Sequence, residues 1–295
     1  MVNLLPQLIT NGLIAGAIYA LVASGFSLLY STNRFVHFAH GGVMTVAAYV
    51  FYSALHFYHA SLSVAVLLSL LMAALVGWLC FALVYLPLQK RKASNTVIML
   101  SSIGLLILIE NILMLIFGAE SRVIDYFPVS TGLSFLGIHI TPLQLTILFV
   151  TLLLIGILFW FIQKTRHGIT MRAIANNAEL SSVIGISVRK FQHLSFIIGS
   201  LLGGIAGILI ALERNIEAIM GTGLMIKGFT GAVVGGIHSI AGSIIGSFIV
   251  GLAENLGVAF ISSGYKDAIA FIVLFVFLIF RPQGLFGVHK GTREE

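Results

Sequence analysis

The run LQLTILFVTLLLIGILFWFI, residues 143–162, is followed almost at once by KTRHGITMRAIANNAELSSVIGISVRK, residues 164–190. The first stretch carries no charge and is long enough to cross a bilayer, whose ~30 Å apolar core needs about 20 helical residues at ~1.5 Å each. Its apolar residues are continuous rather than alternating every second position, as a barrel strand would require. The second stretch is polar, basic and too long for a simple link between membrane helices. Together they predict a membrane helix that emerges into a structured loop on one face of the bilayer.

Working outward, comparable apolar runs cover 8–30, 38–58, 62–86, 95–117 and 191–212, with a broken apolar region at 226–262 and a shorter one at 267–280. Composition agrees: of 295 residues 59% are hydrophobic and 9% charged, far below the roughly 25% charged residues of a soluble domain. These features predict an all-α, polytopic transmembrane helical bundle. The whole chain, 1–295, reads as one transmembrane domain of about eight or nine membrane segments, with the loop 164–190 outside the bilayer. Val2 to Gln7 lead straight into the first span without a basic region, so no cleaved leader is expected. Cys80 is the single cysteine and lies within a span, which excludes a disulfide framework or thiolate metal site.

The net charge of +6 does not indicate nucleic-acid binding, because the basic residues sit in short links between apolar runs. Lys90, Arg91, Lys92, Lys164, Arg166, Arg172, Arg189, Lys190, Arg281, Lys290 and Arg293 all fall on one side of a bundle with these spans. Arg122, Arg214, Lys227 and Lys266 fall on the other, accompanied by Glu120, Asp125, Glu213, Glu217 and Asp267. Excess Lys and Arg mark cytoplasmic loops, so 87–94, 163–190 and the C-terminus are expected inside, and by parity the N-terminus outside. Parity also requires 226–262 to cross twice or re-enter. Its 37 residues allow two passes of ~28 Å at most, and Gly235-Gly236-Ile237-His238-Ser239-Ile240-Ala241-Gly242 is the natural turn. A second break is expected near Gly41-Gly42.

Small residues mark faces where membrane helices approach closely: Gly12, Gly16, Ala20 and Ser24; Gly199, Gly203 and Gly207; Gly242 and Gly246. In the basic loop, Thr170 to Ile184 reads as one amphipathic helix with Met171, Ile174, Ala175, Ala178 and Ser182 on one face, stopped by Gly185. Such an element fits a docking role; a membrane-surface helix would favour bulkier apolar residues.

Four dispersed motifs carry a resemblance over the whole chain. Arg172-Ala173, Ala175-Asn176-Asn177 and Gly185-Ile186 resemble the coupling-helix loop of ABC importer permeases. Phe38-Ala39-His40-Gly41, the run Thr230 to Gly242, and the tail Tyr265-Lys266-Asp267 with Arg281-Pro282-Gln283-Gly284-Leu285-Phe286-Gly287 are similar to the branched-chain amino-acid permease family and its urea and amide relatives. The chain departs from that pattern at His37, His238, Ala241, Asn176, Asn177 and Ser181.

The resemblance implies a permease subunit that moves branched-chain, hydrophobic amino acids inward by alternating access, with no chemistry of its own. It implies a second permease subunit, two cytoplasmic ATPase subunits that hold the ATP and magnesium, and an extracellular or periplasmic solute-binding protein. This chain itself would bind no cofactor and would sit in the inner membrane. Arg172, Ala173, Ala175, Asn176, Asn177, Glu179 and Gly185 would couple to the ATPase. Phe38, His40, Gly41, Gly42, Gly235, Gly236, His238 and Gly242 would line the pathway, since non-helical backbone at membrane depth is tolerated beside a polar cavity.

Intramembrane polar residues are candidates in their own right. Asn11, Asn111 and Asn255 read as structural hydrogen-bonders, with Glu254 beside the last of them. Glu110 reads either as a neutral, Gln-like group or as a proton relay. His37 and His40 have imidazoles three residues apart but no third metal ligand nearby, so no metal site is expected. No phosphate loop, nucleophile–base pair or catalytic carboxylate pair is present. A self-sufficient secondary transporter built on the broken helices and Glu110, and an intramembrane enzyme using His37 and His40, are the alternatives at this stage.

Overall fold

In the computed structural model, residues 4–124, 126, 132–135 and 138–287 are described; Asp125, Lys290 and Arg293 lie outside them. The chain forms α1 (Leu5–Asn33), α2 (His40–His56), α3 (Leu62–Leu79), α4 (Leu86–Lys90), α5 (Asn95–Phe117), a ribbon of β1 (Leu133–Phe135) and β2 (Ile138–Ile140), and α6 (Pro142–Lys164). After these come α7 (Arg166–Asn176), α8 (Ala178–Val183), α9 (Val188–Glu213), α10 (Met220–Gly235), α11 (Ile240–Gly257) and α12 (Lys266–Phe280). A π-helical turn, Cys80–Tyr85, joins α3 and α4 into one rod, Leu62–Lys90. β1 and β2 pair antiparallel, with Leu133 opposite Ile140.

Among the described residues, seven helical runs are long and apolar enough to cross a membrane. α2 and α10 are shorter, with 17 and 16 residues. α1 runs through the centre of the bundle, against α9, α10 and α11. It can do so because its glycines remove the side chains that would hold neighbours away. A Cβ on Gly16 would stand 2.9 Å from Phe248 Cα, and one on Gly12 would stand 3.0 Å from Leu252 Cα. The glycine face of α9 is shared between partners: Gly199 receives Leu29 of α1, while Gly203 and Gly207 receive Met44 of α2. By contrast α5, α6 and α12 are peripheral, and Leu115, Phe149 and Phe275 are exposed. Such apolar outer faces fit lipid or another membrane subunit, not water.

Contacts between chain segments define the two ends. Arg34, just past α1, bonds the α7 carbonyl of Ala175, so the C-terminus of α1 shares its end with the basic loop. At the opposite end, Gln7 donates to the carbonyl of His139 and accepts from its N–H. There also Arg122 and Ile216 form an antiparallel bridge linking the segments beyond α5 and α9.

Four expectations change. The helix expected over Thr170–Ile184 is two helices, because Asn177 is extended (φ −153°, ψ 102°) and its Oδ1 caps α8 by accepting from Leu180 N–H (2.9 Å). Met171 and Ile174 are buried and Ala175 half-buried, but Ala178 and Ser182 are exposed, since the break rotates α8 off the α7 face. The second span is not broken at Gly41-Gly42; the non-helical stretch is 34–39, and α2 begins at His40. Finally, the broken region starts at Met220, not at 226, and Lys227 lies buried inside α10 rather than in a loop.

The turn expected at 235–242 is present: Gly236 ends α10 at φ +109°, and Ser239 Oγ caps α11 by accepting from Gly242 N–H (3.1 Å). The tail completes it. Leu285 N–H donates to Val234 O (2.9 Å) and Phe286 N–H to Gly235 O (3.0 Å), satisfying carbonyls that the end of α10 leaves open.

Candidate coupling and translocation sites

At the basic end, α7 is set by local chemistry. Thr165 Oγ1 accepts from Gly168 N–H (3.0 Å) to start the helix. Gly168 lets it lie against the end of α6, where a Cβ would stand 2.5 Å from Ile162 Cα. Met171 then anchors it in the core cluster that contains α1 and α6 residues, and Ile174 is also buried. α8 ends in a Schellman turn: Ile186 N–H donates to Ser181 O, Gly185 N–H donates to Ser182 O, and Gly185 takes φ +87°. Beyond Asn177 the surface is apolar and open, with Leu180 58%, Val183 78% and Ile184 68% exposed. Arg172, Asn176, Asn177, Glu179 and Gly185 are exposed around it; Ala173 is half-buried.

Arg34, the first basic residue of the chain, is not among the sequence-predicted site residues. It adopts φ +63°, which turns the chain sharply after α1. Its guanidinium donates to Ala175 O at the end of α7 and meets His238 Nδ1 at 3.1 Å in the α10–α11 turn. Ser27 Oγ donates to Ile237 O (2.9 Å) beside it. A cavity of about 210 Å³ lies between these parts, lined by Leu28, Thr32, Phe159, Met171, Arg172, His238 and Ala241 among others. Arg172 and Ala175 of the predicted coupling set and His238 of the hairpin therefore share one locus, with Arg34 between the two elements. Only the residue type, a lone Arg following the first span, hinted at this from sequence.

The residues predicted to line the pathway do not form one group. Gly235, Gly236, His238 and Gly242 lie at the basic end. Where α2 begins, Phe38 stands beside Phe229 midway along α10 (ring centroids 6.0 Å), His40 lies against α9, Gly42 against α5, and Gly41 against the other end of α10. Gly41 packs on Gly221, and Thr45 Oγ1 accepts from Gly221 N–H (3.1 Å). Gly221 and Gly235 are separated by ~21 Å of helix. His40 is fully buried between Gly25 and Gly203, and neither of its ring nitrogens has a hydrogen-bond partner among the described residues. Phe38 N–H donates to Ser102 Oγ (3.1 Å). His37 Nδ1 meets Tyr85 OH at 2.8 Å, a contact positioned by the π-helical turn, and the His37 and His40 rings are 6.0 Å apart. Among the described residues no three His, Cys, Asp or Glu side chains converge as metal ligands.

The intramembrane polar residues divide similarly. Asn11 accepts from Gln7 (2.9 Å), and exposed Asn111 donates to the carbonyl four residues back (2.8 Å). Half-buried Glu110 accepts from Thr222 of α10 (2.5 Å), joining α5 to α10. Asn255 donates to Gly251 O and accepts from Lys266 (both 2.9 Å). Glu254, 1% exposed, accepts from Tyr19 OH (2.7 Å) and pairs with Lys227 (3.3 Å), which also meets Asp267 (2.8 Å). This ionic cluster ties α1, α10, α11 and α12 together. Sequence reasoning missed it because the partners are far apart along the chain and no periodicity aligns different helices.

A family model for the permease component of branched-chain amino acid transport systems matches residues 8–278. The chain belongs to that family. Among its relatives, the high-affinity branched-chain amino acid transport system permease protein BraD of Pseudomonas aeruginosa is 30% identical over 295 residues, covering 95% of both chains. The corresponding LivH protein of Escherichia coli K12 is 31% identical over 296 residues, again with 95% of both covered. A probable LivH permease of Methanocaldococcus jannaschii is 29% identical, with 96% of this chain and 92% of that protein covered. PsaBC from Streptococcus pneumoniae, solved with an antibody fragment, superposes with a TM-score of 0.51 over 94% of this chain and 92% of that one; at 14% identity this is a likeness of fold. As a permease of this family, the chain is a transport subunit of an ABC importer and not an enzyme; ATP hydrolysis belongs to a separate subunit.

Proposed function

We propose that this permease carries branched-chain amino acids inward as part of a complex with a second permease subunit, two ATPase subunits and a solute-binding protein. The ATPases bind ATP with magnesium and dock on α7, α8 and the Schellman turn at Gly185. The basic end, with the C-terminus, faces the cytoplasm, and the N-terminus of α1 faces out; the concentration of Lys and Arg at that end supports this orientation.

The observation that carries the reading is the contact of Arg34 with both Ala175 and His238. An element docked from the cytoplasm is there joined directly to the turn of two short membrane helices, so displacement of α7 reaches α10 and α11 without an intervening flexible segment. The exposed Leu180, Val183 and Ile184 offer an apolar docking surface that would otherwise face water.

Gentle purification of the tagged chain from its host should recover an ATPase subunit and a second permease, and reconstituted vesicles should take up leucine only with ATP. Val183→Glu, which places a charge in the docking surface, should remove the ATPase while leaving the permeases associated. A complex that moves leucine without any ATPase would overturn the proposal and favour a secondary transporter.

A further inference from the structure

At the end opposite the basic loop, the ionic cluster lies at the floor of a cavity of about 530 Å³, within the roughly 300–1,000 Å³ of small-molecule sites. Ile210, Met220 and Leu224 supply apolar wall, and Tyr19, Lys227 and Asp267 lie at the floor. Arg214 and Glu217 stand exposed at the rim, and no ion pair within 4 Å occupies either of them among the described residues. Gly223 also lines the cavity, and a Cβ added there meets nothing within 4 Å.

The charges have a definite sense. Lys227 is shared by two carboxylates, Glu254 on its buried side and Asp267 on its open side. Asp267, 71% exposed in its side chain, keeps most of its carboxylate open toward the cavity that it lines. Arg214, which lines the same cavity, provides a forked cation suited to a carboxylate.

We infer that this vestibule is a binding site for a zwitterionic α-amino acid with a branched aliphatic side chain: Asp267 takes the α-ammonium, Arg214 takes the α-carboxylate, and Ile210, Met220 and Leu224 cover the side chain. This site rests on the amino-acid reading of the function, and it makes the permease itself a selector of solute. A compound lacking either charge loses one anchor and leaves the other charge of the site without its partner, which costs more than the lost contact alone. An uncharged solute such as urea gains neither anchor.

The test is equilibrium binding of radiolabelled leucine to the purified whole complex in lipid nanodiscs, without solute-binding protein, with ATP-driven uptake measured in parallel in vesicles that contain the binding protein. Leucine should bind saturably, with 4-methylpentanoate (no ammonium) and isopentylamine (no carboxylate) each competing at least about tenfold less well, one anchor being worth on the order of one decade. Arg214→Gln and Asp267→Asn should each weaken binding by about tenfold. Gly223→Phe fills the open volume without touching the ion pairs, and should abolish binding in a complex that elutes as an intact assembly. Wild-type affinity in Gly223→Phe, or equal competition by the singly charged analogues, would overturn the vestibule while leucine uptake by the wild type still upholds the transport function. Reduced uptake with unchanged leucine affinity in Arg214→Gln would also overturn it, and assign the rim to docking of the binding protein. Failure of the wild-type complex to import leucine would instead refute the transport reading on which the site rests.

Discussion

Arg34 Nη1 lies 3.1 Å from His238 Nδ1, joining the end of the first helix to the turn between α10 and α11. The same guanidinium holds the last turn of α7 through Ala175 O, so a single side chain touches both the helix proposed to dock the ATPase and the membrane hairpin. Replacing it should loosen the connection without dismantling either element.

Arg34→Gln is expected to lower leucine uptake several-fold while ATP hydrolysis continues, raising the ATP consumed per leucine imported. Arg34→Lys should restore part of the coupling, because an ammonium reaches one partner but lacks the planar fork that serves two. Parallel measurement of hydrolysis and uptake in vesicles decides it; an unchanged ratio in Arg34→Gln would show that α7 moves the hairpin by another route.

Gly235 and Gly242 face each other across α10 and α11, and a Cβ on either would run into the other's backbone. Gly235→Ala should therefore destabilise the fold by about 1–3 kcal/mol, the usual cost of overpacking. Gly104 has nothing within 4 Å of an added Cβ, so Gly104→Ala should be neutral or stabilise slightly through helix propensity. Apparent melting temperatures in detergent would separate the two; equal values would contradict the close packing of the hairpin.

Lys227 and Glu254 are 10% and 1% exposed in their side chains. Lys227→Met leaves Glu254 without its cation in the bundle and should destabilise by about 3–5 kcal/mol, whereas Lys227 keeps Asp267 in Glu254→Gln, so that variant should lose less. The double variant should lose clearly less than the sum, with a coupling of about 1 kcal/mol or more. Additive losses in a double-mutant cycle would mean that the two groups do not share an ion pair.

Asn177→Ala removes the side chain that caps α8, a loss of about 1 kcal/mol in that short helix. The expected effect is weaker retention of the ATPase subunit during purification, with normal thermal stability of the membrane bundle. Undiminished retention would show that α8 is held by its docking partner rather than by its own cap.

The long spans were legible residue by residue. The run 143–162 and its counterparts appear within a few residues of their predicted limits, because a bilayer tests about 20 consecutive side chains of one helix and hydropathy adds along the chain. The turn at Gly235-Gly236 was legible for a related reason: two glycines and a capping Ser239 in an apolar run prescribe a local break. Asn177 was harder to read, since asparagine is tolerated within helices and only its extended backbone reveals the division between α7 and α8.

What the sequence by itself determined is a helical membrane bundle with a basic end and a structured basic loop, together with its family. The tertiary structure alone decided that Lys227 meets Glu254 and Asp267, that Arg34 joins Ala175 to His238, and that Gly41 packs on Gly221 at the opposite end of α10 from Gly235. The reason is geometric. Burial in a bilayer depends on residues adjacent in the chain, whereas pairing between helices depends on their relative rotation and depth, set by glycine contacts such as Gly12 on Leu252 and Gly41 on Gly221 that couple positions hundreds of residues apart.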